Sequence, residues 1–135
     1  MIKVMEPYLI YSVEDDTDIA HIIEVTLSKQ GYEVKVFPTG EAFLDAFTIR
    51  KPNMVLLDMM LPGIQGKDVL KEIRKDHFND DIQVIIVSAR TMTMDKVDGL
   101  DLGADDYINK PFDLMELMSR ANAHARRNKS VPQIT

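Results

Sequence analysis

The residues with the most chemistry to offer in this chain are a few acids, a lysine and a serine, each directly after an apolar run. Met54-Val-Leu-Leu57 is followed by Asp58, and Leu61-Pro-Gly63 then turns the chain. Four apolar residues without alternation read as a strand buried on both faces, as in a parallel sheet. Asp58 then stands at the carboxyl end of a central strand, the edge where open α/β sheets bind ligands. An ionised acid at such a place calls for a partner, because burying an unpaired charge is costly. A cap on the following turn is the plainer use of the same side chain. Tyr8-Leu-Ile-Tyr-Ser-Val13 ends on Glu14-Asp-Asp16, Ile82-Gln-Val-Ile-Ile-Val87 ends on Ser88, and Asp106-Tyr-Ile-Asn109 ends on Lys110-Pro111. If these strands are parallel, Glu14, Asp15, Asp58, Ser88 and Lys110 gather at one sheet edge.

That set is a kit for phosphoryl transfer. Clustered carboxylates repel at low dielectric, so they protonate, stay as a solvated acidic rim, or hold a cation. Carboxylates with a backbone carbonyl and water suit Mg²⁺, which keeps several of its waters. A carboxylate can act as nucleophile. A metal and an ammonium group can neutralise the oxygens of the moving phosphoryl group, and a hydroxyl can bond one of them on arrival. A plain Lys–Asp salt bridge would use the same residues. The proline after Lys110 favours an extended backbone there, which aims the side chain in one direction.

The elements that must position these groups follow from periodicity. Asp16 or Thr17 can cap a helix carrying Ile19, Ile22, Ile23 and Leu27 at helical spacing, closed by Gly31. Glu33–Phe37 alternates as a strand. Pro38-Thr-Gly-Glu41 opens a second helix to about Arg50, with Ala42, Phe43, Ala46 and Phe47 inward. A third helix covers Lys67 to Asp76, and a fourth covers Thr93 to Leu102 and closes at Gly103. Asp113 and Glu116 have capping-box spacing at the head of a last helix that runs to about Arg127. Strands alternating with helices through short connections predict a doubly wound parallel α/β sheet.

Bulk properties narrow the class. The chain has 135 residues, 45% hydrophobic and 28% charged, which suits one globular domain. The formal net charge of −6 argues against non-specific nucleic-acid binding by this segment. With no cysteine there is no disulfide, thiolate metal site or cysteine nucleophile. No apolar run approaches the roughly 18 residues that suggest a membrane span. Met1 to Pro7 has no signal-peptide core, so a cytoplasmic location is the default expectation.

Taken together, the chain from Tyr8 to about Arg127 resembles a response-regulator receiver domain of two-component signalling. The resemblance rests on Val-Glu-Asp-Asp at 13–16, Leu-Leu-Asp-Met-Met-Leu-Pro-Gly at 56–63, Ser-Ala-Arg at 88–90 and Gly-Ala-Asp-Asp-Tyr-Ile-Asn-Lys-Pro-Phe at 103–112. Each stretch is weak alone, and all four in order are specific. The resemblance implies a five-stranded sheet in the order 2-1-3-4-5, the flavodoxin-like arrangement. It implies a receiver over residues 1–127, with 128–135 a tail or the start of a linker to an absent output domain. Asp58 would accept phosphate from a sensor histidine kinase, making the chain a signalling phosphoacceptor rather than an enzyme. Asp15, Asp58 and the Met60 carbonyl would ligate Mg²⁺, with Mn²⁺ able to substitute, and Glu14 would act through a metal-bound water. Lys110 would bind the phosphoryl group, Ser88 would be the switch hydroxyl, and Tyr107 the aromatic switch that turns inward after phosphorylation.

The stretches around Lys96–Asp106 and Glu116–Arg120 further resemble receivers that precede a winged-helix DNA-binding domain (the OmpR/PhoB type). That implies a homodimer of phosphorylated receivers through the fourth helix, last strand and last helix, with DNA bound only by the absent domain. The implied cross-subunit pairs are Lys96–Glu116, Asp106–Arg120 and Asp105–Arg127. The expected partner of Asp101 would be Asn122, which is neutral. Three rival readings have other requirements. An aspartyl-phosphatase would want an acid where Met60 stands. A flavin or nucleotide module would want a phosphate-cradling loop in place of Glu14-Asp-Asp16. An interaction-only receiver would not need an intact acid–Ser–Lys set.

Overall fold

A computed structural model describes residues 7–89 and 100–128. Its strands are β1 (Leu9–Val13), β2 (Glu33–Phe37), β3 (Met54–Leu57), β4 (Gln83–Ser88) and β5 (Asp106–Asn109). Its helices are α1 (Thr17–Lys29), α2 (Gly40–Ile49), α3 (Gly66–Arg74) and α4 (Leu114–Asn128), with a 3₁₀ turn at His77–Asn79. The strands form one parallel sheet in the order β2-β1-β3-β4-β5. This is the doubly wound flavodoxin-like arrangement, with β1 and β3 at its centre.

Strand periodicity sorts the core into two layers. Leu9, Tyr11, Val13, Val55 and Leu57 pack with Phe43 and Phe47 of α2 and with Val69, Leu70 and Ile73 of α3. Ile10, Met54, Leu56, Ile85 and Val87 point the other way, onto Ile23 and Leu27 of α1 and Leu117, Ala121 and Ala125 of α4. Every residue of β3 is buried, as an unbroken apolar run requires.

Helix boundaries follow the caps. Asp16 caps α1, its Oδ1 accepting the N–H groups of Asp18 and Ile19, and Thr39 caps α2 through the N–H of Ala42. Asp113 accepts the Met115 N–H at the head of α4. The capping box is incomplete, because Glu116 pairs with Arg120 at 3.4 Å. The third helix stops at Arg74 rather than Asp76, since Asp76 caps the 3₁₀ turn by accepting the Phe78 N–H. Ile22, expected inward, is 43% exposed, because Ile19 and Ile23 already fill the inner face of α1. Most of the fourth expected helix lies outside the described residues; Leu100 and Asp101 are helical, and Gly103 ends that turn at φ +105°.

Candidate functional site: an acidic cluster at the carboxyl edge of the sheet

Parallel pairing brings the strand ends together. The Asp58 N–H donates to the Val13 carbonyl at 3.1 Å, the Glu14 N–H to the Phe37 carbonyl at 2.9 Å, and the Lys110 N–H to the Ser88 carbonyl at 2.9 Å. These three bonds extend the ladder just past the ends of β1, β3 and β5. They fix the side chains that follow at a common level.

Asp58 is buried, yet both of its carboxylate oxygens are satisfied. Oδ1 accepts the Met60 N–H at 2.9 Å, and Oδ2 accepts from Lys110 Nζ at 2.9 Å. Lys110 also contacts Glu14 Oε1 at 2.5 Å. Glu14 is buried and accepts the Asp16 N–H with its other oxygen. Asp15 is exposed at the mouth, and Asp16 is committed to its helix cap. Glu14, Asp15 and Asp58 each offer a carboxylate oxygen within 4.8 Å of the others.

The charges are unbalanced, with three acids around one ammonium group. Burial raises the Glu14 carboxyl above its ordinary range and the Asp58 charge adds to this, while bonds from Lys110 and the Asp16 N–H oppose the shift. Burial alone would lower Lys110, but its bonds to Glu14 and Asp58 outweigh that and raise it. A proton on the cluster or a bound cation would each relieve the remaining negative charge. The donors are hard oxygens without sulfur or imidazole, which fits Mg²⁺ better than zinc.

Ser88 closes β4, fully buried and opposite Asn109 of β5. Tyr107 is buried in the same core layer as Ile86 and Ala104. The Lys110–Pro111 peptide is cis. Beyond it, Ile19, Ile22, Pro111, Phe112 and Leu114 line a shallow apolar depression that adjoins Lys110.

Four of the residues expected on a pairing face, Asp105, Asp106, Glu116 and Arg120, are engaged within the chain. Arg120 donates to Asp106 at 2.8 Å, and Arg74 pairs with Asp105 at 3.0 Å. Burial would raise Asp106, but bonds from His124, the Tyr107 N–H and Arg120 hold it below the ordinary carboxyl range. Asn122 accepts from the Tyr32 hydroxyl and donates to Gln30. Asp101 and Arg127 are exposed, and Lys96 lies outside the described residues.

Sequence reading missed Gly66. A Cβ there would sit 2.3 Å from the Asp58 carbonyl oxygen and 2.6 Å from Met59 Cα. The start of α3 therefore rests on the backbone of Asp58, and only glycine permits that approach. It also missed buried His124, which bridges Gln83 and Asp106 at 2.9 Å each. The first has no local signature. The second had one: His124 falls seven and three residues after Leu117 and Ala121, on the inward stripe of the last helix.

Comparison with known proteins agrees with this geometry. The model of the response regulator receiver domain family matches residues 10–122. The receiver domain of Francisella response regulator 1452 is similar at 33% identity and a TM-score of 0.84, over 92% of this chain and 100% of that one. A CheY-like response regulator receiver domain protein from Methanospirillum hungatei has a TM-score of 0.86 at 26% identity, over 93% of this chain and 98% of that one. The BeF3-activated N-terminal receiver domain of Klebsiella pneumoniae RstA has a TM-score of 0.80 at 30% identity, over 87% of this chain and 98% of that one. By sequence, sheet order and acidic cluster alike, this chain belongs to the response regulator receiver domain family.

Proposed function

We propose that Asp58 is the phosphoacceptor of a two-component system, charged by a sensor histidine kinase. The observation that carries this reading is the buried Asp58 carboxylate held between the Met60 N–H and Lys110 Nζ, with Glu14 and Asp15 alongside. An Asp58 oxygen attacks the donor phosphorus. A new P–O bond forms as the P–N bond of phosphohistidine breaks, and its electron pair leaves on the imidazole nitrogen. Acetyl phosphate would instead lose acetate. Lys110, already bonded to Asp58, passes to a phosphoryl oxygen, and the Ser88 hydroxyl donates to another.

Asp15, Asp58 and the Met60 carbonyl would hold Mg²⁺ or Mn²⁺, with Glu14 acting through water. The ion would supply positive charge to the phosphoryl oxygens. The apolar depression beside Lys110 supports docking of a kinase surface next to the nucleophile. The phosphoryl group carries about −2 charge beside Lys110 and Ser88, and it biases Tyr107 and the neighbouring face toward pairing. Asp106 and Arg120 would then exchange partners across a two-fold axis, joined by Lys96–Glu116 and Asp105–Arg127. Exposed pairs are worth about 0–1 kcal/mol each, so they set register more than affinity. DNA would be contacted only by an output domain beyond residues 128–135. A cytoplasmic site of action fits this partner, and among the described residues no helix is long and apolar enough to cross a membrane.

The test is incubation with acetyl phosphate and Mg²⁺, followed by intact mass and light scattering. The expected result is one added phosphoryl group, lost in Asp58→Asn, with a shift from monomer to dimer. Uptake by Asp58→Asn at the wild-type level would overturn the acceptor assignment. Uptake without dimerisation would overturn the pairing face.

A further inference from the structure

The loop that carries Met59 to Gln65 is pinned to the core by buried Leu61, but few hydrogen bonds of its own hold it. The Gly66 N–H reaches the Met59 carbonyl at 3.3 Å, and Gln65 Nε2 reaches the Leu61 carbonyl at 3.4 Å. Both are long bonds. Yet this loop presents the Met60 N–H that orients Asp58 Oδ1. Beyond the Leu61 anchor, an element outside the loop holds the 62–65 stretch.

The first turn of α2 does so. Glu41 Oε2 accepts the Ile64 N–H at 3.1 Å. The same carboxylate lies against Gly63, where a Cβ would come within 2.7 Å of Oε2 and 3.1 Å of Oε1. Gly63 has φ +73°, so its backbone is turned in a way that favours glycine. On the other side of the contact, a Cβ on Gly40 would meet Ile64 Cγ2 at 2.5 Å and Val69 Cγ2 at 2.7 Å. Two glycines thus clear the approach between α2 and the loop. Thr39 fixes the start of that helix, and with it the root of the Glu41 side chain.

We propose that Glu41 is a positioning residue for phosphoryl transfer: it clamps the 61–65 loop to α2 and so holds Met60 over Asp58. The inference rests on Asp58 being the phosphoacceptor. It adds a fourth acid to the functional set, one that needs no contact with metal or phosphate. Glutamine at this position keeps the accepting oxygen, whereas alanine removes it.

The experiment compares wild type, Glu41→Gln and Glu41→Ala. The rate of phosphoryl uptake from acetyl phosphate with Mg²⁺ is measured well below the unfolding temperature of each. Amide exchange at Met60 is followed by NMR in the same samples without phosphate donor. This bond is solvent-exposed and so worth no more than an ordinary one, and its loss predicts about five-fold faster Met60 exchange and about five-fold slower uptake in Glu41→Ala. Glu41→Gln should stay within about two-fold of wild type on both, since the bond survives. Unchanged uptake and Met60 exchange in Glu41→Ala would overturn the proposal, and so would an equal loss in Glu41→Gln. If wild type itself takes up no phosphoryl group, the acceptor reading fails, and the exchange measurement still decides whether Glu41 holds Met60.

Discussion

Asp15→Asn should stabilise the metal-free protein and abolish its response to Mg²⁺. Asp15 offers a carboxylate oxygen within 4.8 Å of Glu14 and of Asp58. Two unit charges at that separation repel by about 0.9 kcal/mol in water and about 3.5 kcal/mol at an effective dielectric of 20. Asp15 is exposed, so the lower figure applies. Two such pairs sum to about 1.7 kcal/mol, and the Lys110 cation bonded to both neighbours cancels roughly half. The neutral variant should therefore gain about 1 kcal/mol without metal, a rise of about 4 °C in Tm. Wild type in free Mg²⁺ at about a hundred times Kd gains about 2.7 kcal/mol, whereas the variant, lacking a ligand, gains little. The order of stability thus reverses between chelator and Mg²⁺. Thermal unfolding followed by circular dichroism in both buffers reads this directly. A variant less stable than wild type in chelator, or equally responsive to Mg²⁺, would refute the reasoning.

Other outcomes follow from the same geometry. Gly66→Ala places a methyl group against the Asp58 carbonyl; it should destabilise by about 1–3 kcal/mol and slow phosphoryl uptake, checked by denaturant unfolding and intact-mass kinetics. Among the described residues the buried Ser12 Oγ finds no hydrogen-bond partner, so Ser12→Ala should be neutral or up to about 1 kcal/mol stabilising in urea unfolding. Asp106→Asn weakens the hold on buried His124 and on Arg120 and should cost about 2 kcal/mol at neutral pH. Because the Asp106 carboxyl lies below its ordinary range, its stabilisation is present above about pH 4 and lost as pH falls through the folded value. The gap between wild type and Asp106→Asn should close on acidification, as stability curves at several pH values would show.

The site was legible because a parallel sheet turns strand ends into a spatial address. Glu14, Asp58, Ser88 and Lys110 each follow a run of β-formers, and parallel pairing alone brings them together. The three glycines around the 61–65 loop were not legible as a group. Gly63 could be read as a turn, but the approaches at Gly40 and Gly66 depend on how α2 and α3 meet β3, which leaves no local pattern. Polar side chains outside the core were equally opaque. Asp105 takes Arg74 and Asn122 takes Tyr32, choices made by tertiary neighbours 31 and 90 residues distant in sequence. Helix ends shifted where a side chain preferred its own turn, as Asp76 does with Phe78.

The central claim is an acyl phosphate on Asp58, and its chemistry offers the most direct test. After incubation with acetyl phosphate and Mg²⁺, the protein should gain one phosphoryl group, lose it in neutral hydroxylamine, and show the modification on the peptide containing Asp58. A phosphoryl group that resists hydroxylamine, or that maps to Ser88 or elsewhere, would contradict the account.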